Sequence, residues 1–391
     1  MIQTTYLTLD GDKAEEVGAF HTAKEIAGQP ELWRQVFAQI ESEKTDIQTF
    51  LAPILAKKNA RLILTGAGSS AFIGESAQGV VQQFTGVHTQ AIATTDLVTH
   101  PALFFLEDAP TVLVSFARSG NSPESVETVK LADEYCGEIY HLIITCNPDG
   151  QLAAYANDCE GNCYALVLPE SANDNSLAMT GSFTSMLLAV LLVAGIDQLE
   201  ELKADFDDAV QTATNILTSK LEEFEELAKL DFERVIFLGS GPMLGIAREC
   251  HLKLQELTDG QVVCKHDSFL GFRHGPRAVA NEDAIVVYLF SKDPHVVRYE
   301  TDLATSIGQD KRGIKTISFA AEQTEGYHSV MDVPAVGKGE VAVFNVLPAT
   351  MMGQLLGFYK CLQLGLKPDN PSVSGAISRV VQGVVIYNKE K

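Results

Sequence analysis

The stretch RLILTGAGSSAFIGES, from Arg61, has a counterpart in RVIFLGSGPMLGIARE, from Arg234, 173 residues further on. Both run from an apolar, β-branched segment through Gly-x-Gly into a helical pattern. The same offset carries TVLVS (111–115) onto AIVVY (284–288) and HLIIT (141–145) onto IKTIS (314–318). Three segments matching at one spacing identify a tandem duplication, which confines the chain to two like units.

Within each copy, short apolar strands without polar alternation are separated by amphipathic segments. Strands buried on both faces of a parallel sheet have this character. The pattern predicts helices at 31–57, 70–84, 123–135 and 177–195, then at 203–229, 243–257, 295–308 and 341–364. The result is a doubly wound α/β pattern, twice. The expected organisation is a helical N-terminal leader (1–58), a first domain (59–200), a second domain (201–364) and a tail (365–391). At 391 residues the chain suits two cores rather than one. The tail has turn chemistry at Pro368–Pro371 and then an apolar run, and is expected to pack back over a ligand cleft.

The charge narrows the function classes. Fifty-one acidic against 29 basic residues give −22, which disfavours nucleic acid and anionic membrane, whose phosphates demand a basic footprint. A phosphorylated ligand would need local donors working against that field. The longest apolar stretch, SMLLAVLLVAGI (185–196), is too short to span a bilayer and is expected as a buried helix. The N-terminus shows no signal-peptide pattern. The seven cysteines are scattered; Cys146, Cys159 and Cys163 come closest to a cluster, without metal-ligand spacing. The expectation is no metal, no cofactor, reduced buried thiols and a cytoplasmic location.

Ligands of open α/β sheets lie beyond the carboxyl ends of the strands. The turn there after 111–115 is SFARSGNSPESVETV. Ser119, Asn121 and Ser122 surround Gly120 just before a helix beginning near Pro123, with Ser122 suited to the N-cap. First-turn N–H groups and these donors make an anion site without a lysine. GAGSS (66–70) is a second such turn, with Ser69 and Ser70 opening the helix. Its Gly-x-Gly invites a dinucleotide reading, but Ala71 stands at the third glycine and the nearest acid is Asp96 rather than one about 20 residues on. There is no P-loop pattern, so a monophosphate fits better. The second copy has LFSKDPH (289–295) in place of the hydroxyl-rich turn. One half is built to hold phosphate and the other is free for chemistry.

In ECHLKLQELTDGQVVCKHDSFLGFRHGPRA (249–278), Glu249, Lys253 and Glu256 fall at i, i+4 and i+7 and line one stripe of a helix. Taken alone, a solvated face with a modest Glu–Lys pair explains them. Two features shift the reading: the helix follows Gly239-Ser240-Gly241 at a carboxyl-end turn, and Arg273-His274-Gly275-Pro276 is a tight turn presenting histidine, suited to moving protons near neutral pH.

These elements in this order resemble the sugar isomerase (SIS) family, whose members include the isomerase half of glucosamine-6-phosphate synthase. LTGAGSSAFIG, FARSGNSPESV, TTDLVT, GFRHGP and SGAISRVVQGV are similar to its galactosamine-6-phosphate deaminase/isomerase branch, also described as tagatose-6-phosphate ketose/aldose isomerases. The likeness runs from about residue 30 to the end. It implies two tandem flavodoxin-like domains and no cofactor. It also implies a homodimer or higher homo-oligomer, because the histidine of the His-Gly-Pro turn reaches across a subunit interface in relatives. Ser70, Ser119 and Ser122 would hold the sugar phosphate, with Ser69, Arg118, Asn121 and Arg379 beside them. Glu256 would move a proton between C2 and C1, His274 would open the sugar ring, and Glu249 and Lys253 would orient substrate. The sequence departs from the synthase at Ala117-Arg118 (Ser-Gln there) and at Arg273 (lysine there). Ser378 and Arg379 stand where the synthase tail carries an imine-forming lysine.

The chemistry suits the residues. The C2 proton of an aldose amine 6-phosphate becomes acidic only once C1 is a free aldehyde, so ring opening precedes carboxylate-mediated transfer. A glutamate in a dry cleft, raised toward neutrality, would serve as both base and acid. Hydrolysis of the resulting ketosimine releases ammonia; without nitrogen at C2, the same steps are an aldose–ketose isomerisation. Both outcomes share every step up to that hydrolysis, and either C4 configuration remains open. A non-catalytic phosphosugar sensor is the rival from another class, but the leader has no basic recognition helix.

Overall fold

Both sheets implied by the repeat are present, each of five parallel strands. The computed structural model describes residues 5–159, 161–320, 327, 329–337, 342–381 and 383–387. In the first sheet, β1 (Arg61–Thr65), β2 (His88–Ala91), β3 (Thr111–Ala117), β4 (Ile139–Thr145) and β5 (Cys163–Val167) lie in the order β2-β1-β3-β4-β5. In the second, β6 (Arg234–Gly239), β7 (Val263–Asp267), β8 (Ala284–Leu289), β9 (Lys315–Phe319) and β10 (Met331–Val333) lie in the order β7-β6-β8-β9-β10. This is the flavodoxin-like arrangement, and it puts a topological switch point between β1 and β3 and again between β6 and β8.

The repeat extends to backbone angles. Gly68 and Gly241, at equivalent positions, adopt φ 56°, ψ −130° and φ 54°, ψ −125° as they open helices α3 (Ser69–Thr85) and α8 (Pro242–Leu257). The glycines two residues earlier are equally constrained. A Cβ on Gly66 would lie 2.6 Å from the Ser70 carbonyl carbon, and one on Gly239 would lie 2.2 Å from the Met243 oxygen. Each turn folds tightly enough to aim the helix start at the carboxyl end of its sheet.

Every residue of β1, β3 and β8 is buried, as strands covered on both faces require. Helix α4 (Pro123–Tyr135) follows β3, and helix α9 (Pro294–Gly308) follows β8; both have proline at the first helical position. Helix α5 (Gly181–Ala194), the long apolar stretch, is buried from Gly181 through Val193, so its apolar circumference is spent on core. Among the described residues no single helix is long and apolar enough to cross a membrane.

The chain forms two compact units, each discontinuous in sequence. One, carrying the second sheet, comprises Met1–Pro30, Asn175–Thr180 and Glu200–Ala376. The other, carrying the first sheet, comprises Glu31–Asp174, Gly181–Leu199 and Ile377–Lys391.

Three expectations are corrected. The helix expected at 31–57 is two: α1 (Phe20–Ser42) starts earlier and continues through Pro30, and α2 (Lys44–Leu55) follows a break at Glu43. The Glu43 carboxylate accepts from Tyr164 of β5 at 2.8 Å and from Gln39 at 2.8 Å. The segment expected as one helix at 203–229 breaks at Lys220 into α6 (Leu199–Ser219) and α7 (Leu221–Ala228). Finally, Cys159 and Cys163 are disulfide-bonded rather than reduced. The turn into β5 brings their Cα atoms to 5.8 Å, within disulfide range. The other five cysteines are free thiols, all buried except the half-buried Cys264.

Candidate active site

In the unit of the first sheet, two carboxyl-end turns have the character of an anion site. Ser69 and Ser70 are buried in the first turn of α3, and no side chain caps that helix. Ser119 to Ser122 form the turn into α4, with Gly120 at φ 66°. Ser122 is the N-cap residue, but its hydroxyl donates to Ser125 Oγ at 2.7 Å instead of capping the helix. The first-turn N–H groups of α4 thus have no side-chain cap. The Ser119–Ser122 turn is braced from the loop after β4. Asn147 Nδ2 donates to the Ser119 carbonyl at 2.8 Å, and Asn121 Oδ1 accepts from Gln151 N at 3.0 Å. Part of Asn121 is therefore structural.

The corresponding turn of the second sheet is filled from inside the protein. Asp293 caps α9, its Oδ1 accepting from His295 N at 2.7 Å and Val296 N at 3.3 Å. Buried Glu300 accepts from Ser291 N at 2.8 Å, and burial raises its carboxyl above the usual range. Two carboxylates hold donors that an anion would otherwise use. The asymmetry read between LFSKDPH and SFARSGNS is thus electrostatic as well as compositional.

Helix α8 brings Glu249, Lys253 and Glu256 together, and they are no solvated face. The side chains of Glu249 and Lys253 are 0% and 1% exposed, while Glu256 is 22% exposed. Lys253 Nζ lies 2.5 Å from Glu256 Oε2 and 3.6 Å from Glu249 Oε1. Burying an ammonium is costly unless carboxylates share the site, and here one lies on each side. The stack leaves Glu256 as its only member open to solvent.

His274 is exposed, as are Arg273 and Gly275 on either side. Gly275 takes φ 117°, a conformation favouring glycine. The short helix Phe269–Phe272 precedes this turn, with Ser268 Oγ accepting from Gly271 N at 2.9 Å and both phenylalanines in the core.

Arg118 and Arg379 meet within the unit of the first sheet. The buried Arg118 guanidinium donates to the Arg379 carbonyl, and Arg379 donates through Nε to the Asp174 carbonyl at 2.9 Å and through Nη2 to Asn173 Oδ1 at 3.0 Å. Asp174 in turn accepts from Gly181 N at 3.1 Å and Ser182 Oγ at 2.6 Å at the start of α5. Asp174 escaped the sequence reading because it carries no motif. Its one signal is its place shortly before the apolar helix, where an acid suits a helix N-terminus. Arg277 was also missed, though it directly follows the His-Gly-Pro motif. Among the described residues no three His, Cys, Asp or Glu side chains cluster as metal ligands.

Residues 54–195 match the SIS domain family. D-galactosamine-6-phosphate deaminase AgaS of Shewanella sp. (strain ANA-3) is 41% identical over 384 residues, 97% of this chain and 95% of that protein. Among solved structures, the tagatose-6-phosphate ketose/aldose isomerase from Escherichia coli has a TM-score of 0.86 at 33% identity, covering 95% of this chain and 97% of that one. The C-terminal domain of glucosamine-fructose-6-phosphate aminotransferase from Francisella tularensis shares the fold, with a TM-score of 0.72 at 19% identity over 90% of this chain and 98% of that one.

Proposed function

Because this chain belongs to the SIS family, in the group of the AgaS deaminases, we propose that it converts D-galactosamine 6-phosphate and water to D-tagatose 6-phosphate and ammonia. It is an enzyme of aldose–ketose isomerase type. The observation that carries the chemical reading is the α8 stack, in which a buried lysine grips the one carboxylate that reaches the surface.

The proposed roles are those the family resemblance implies, set on the geometry of each group. Ser70, Ser119, Ser122 and the uncapped first-turn N–H groups of α4 hold the 6-phosphate, with Ser69 and the amide of Asn121 beside them. Arg118 and Arg379 supply positive charge next to that turn against the adverse field of the chain. His274 moves the protons of ring opening, taking one from O1 and delivering one to the ring oxygen. Glu256 then removes the C2 proton, giving an enolamine, and returns it to C1. Lys253 holds Oε2 of Glu256, which assigns the substrate proton to Oε1; Glu249 balances the ammonium from the other side. Water adds to the ketosimine and ammonia leaves. Exposure of His274 in the single chain accords with a homodimer or higher homo-oligomer in which a second copy covers it.

The second reading is ketose/aldose isomerisation of tagatose 6-phosphate, favoured by the name of the Escherichia coli structure. Hexosamine and hexose 6-phosphates assayed in parallel for ammonia and ketose separate the two. Stoichiometric ammonia and ketose phosphate from galactosamine 6-phosphate is the expected result. Turnover confined to sugars without nitrogen would replace the first reading by the second.

A further inference from the structure

The turn that carries His274 is gripped at both ends and open in the middle. Upstream, Phe272 is locked in the core of the second sheet. Downstream, Arg277 lies across the C-terminal end of α9. Its Nη1 donates to Ser306 Oγ at 2.9 Å, and its Nη2 donates to the Ser306 carbonyl at 2.9 Å and to Asp310 Oδ2 at 3.0 Å. Ser306 is in the last turn of α9, where carbonyls lack helical partners and a cation complements the dipole. Asp310 is clamped in turn by Arg312, through Nε at 2.9 Å and Nη2 at 2.7 Å. The two guanidiniums hold its carboxyl well below the usual range, with Arg312 the larger cause.

Between these grips the backbone is tied lightly. His274 N donates to the Gly271 carbonyl at 2.9 Å, and Ala278 N donates to the Gly275 carbonyl at 3.1 Å. Gly275 adds a conformation that needs support from its neighbours. The fork of Arg277 can hold a hydroxyl, a carbonyl and a carboxylate at once, which a lysine ammonium on a flexible stem would do with less directional precision.

We propose that Arg277 is a positioning residue for His274, fixing the His-Gly-Pro turn to the end of α9 so that the imidazole is held where ring opening needs it. This rests on the reading of His274 as the ring-opening group. Misplacing a reacting group by about 1 Å can cost on the order of 10²-fold in rate. Arg277 contributes no atom to the reaction.

A double-mutant cycle on the intact enzyme tests the proposal, with galactosamine 6-phosphate as substrate and His274→Ala, Arg277→Ala, Arg277→Lys and His274→Ala/Arg277→Ala as variants. Arg277→Ala should lower kcat about 10–100-fold with KM within about twofold. Once the histidine is gone there is nothing to position, so the double variant should be no slower than His274→Ala, within about twofold. Arg277→Lys should recover part of the loss. A double variant slowed by the product of the two single effects, or a loss confined to KM, overturns the proposal. Should Arg277→Ala fail to fold, Asp310→Ala removes one of the three contacts and must show the same non-additivity at smaller size. Impaired His274→Ala beside full-rate Arg277→Ala sinks the anchor alone. Full-rate His274→Ala sinks the anchor together with the reading beneath it.

Discussion

Lys253 shows how much one residue can depend on elements far from it in sequence. The i, i+4, i+7 spacing placed it between Glu249 and Glu256, but spacing cannot distinguish a solvated stripe from a buried one. Helix α10 (Val346–Gln363) packs closely against α8 at two glycines. A Cβ on Gly353 would meet Cys250 Sγ at 2.3 Å, and one on Gly357 would meet Leu257 Cδ1 at 2.8 Å. Nothing in 249–256 encodes that approach, so the spacing was legible and the depth was not. The two roles at this scale separate kinetically. Glu256→Gln keeps size and helix propensity, so the fold should survive while kcat drops about 10²–10⁴-fold, the usual worth of a general base. A C2-deuterium isotope effect measured on its residual activity should be fully expressed. A near-wild-type rate would remove Glu256 as the base and leave Glu249 as the candidate.

Among the elements, the strand–turn–helix unit was the most legible, because parallel strands, Gly-x-Gly turns and proline-started helices each leave a local mark. Helix boundaries fared worse where a side chain elsewhere made the decision, as at Glu43, which answers to Tyr164. The contrast between the α4 and α9 starts was visible only in part. Ser122 and Asp293 are both good N-cap residues, yet Asp293 caps its helix and Ser122 turns to Ser125. Equivalent glycines give a test of the repeat itself. Gly66→Ala and Gly239→Ala each force a Cβ against backbone and should each destabilise the protein by roughly 1–3 kcal/mol, as overpacking does. The measurement is chemical denaturation of both variants. Gly79→Ala serves as control, since a Cβ there meets nothing within 4 Å, and it should stay within about 0.5 kcal/mol of the parent or gain slightly. Equal behaviour of all three would mean that the turns are looser than their geometry implies.

At the scale of the whole molecule, 51 acidic residues make stability respond to pH, and one half-buried carboxyl can be separated from the rest. Asp205 of α6 accepts from Phe344 N at 3.2 Å, and burial pushes its carboxyl up to about 6 against that hydrogen bond. A folded-state pKa above the unfolded value of 3.8 contributes stability that is complete below about pH 4 and is lost as pH rises through about 6. Relative to Asp205→Asn, the wild type should therefore lose roughly 1–2 kcal/mol across that window, discounted because the carboxyl is partly exposed. Melting temperatures of the two proteins from pH 4 to 7 should diverge accordingly; parallel curves would mean that Asp205 titrates normally. The duplication was plain in the sequence, but the division of the chain was not, because which stretch joins which core is settled by packing rather than by any local signal. That division has a consequence for how the protein can be made or taken apart. The chain crosses between the two units five times, so no single cut, stop codon or protease nick can release both intact.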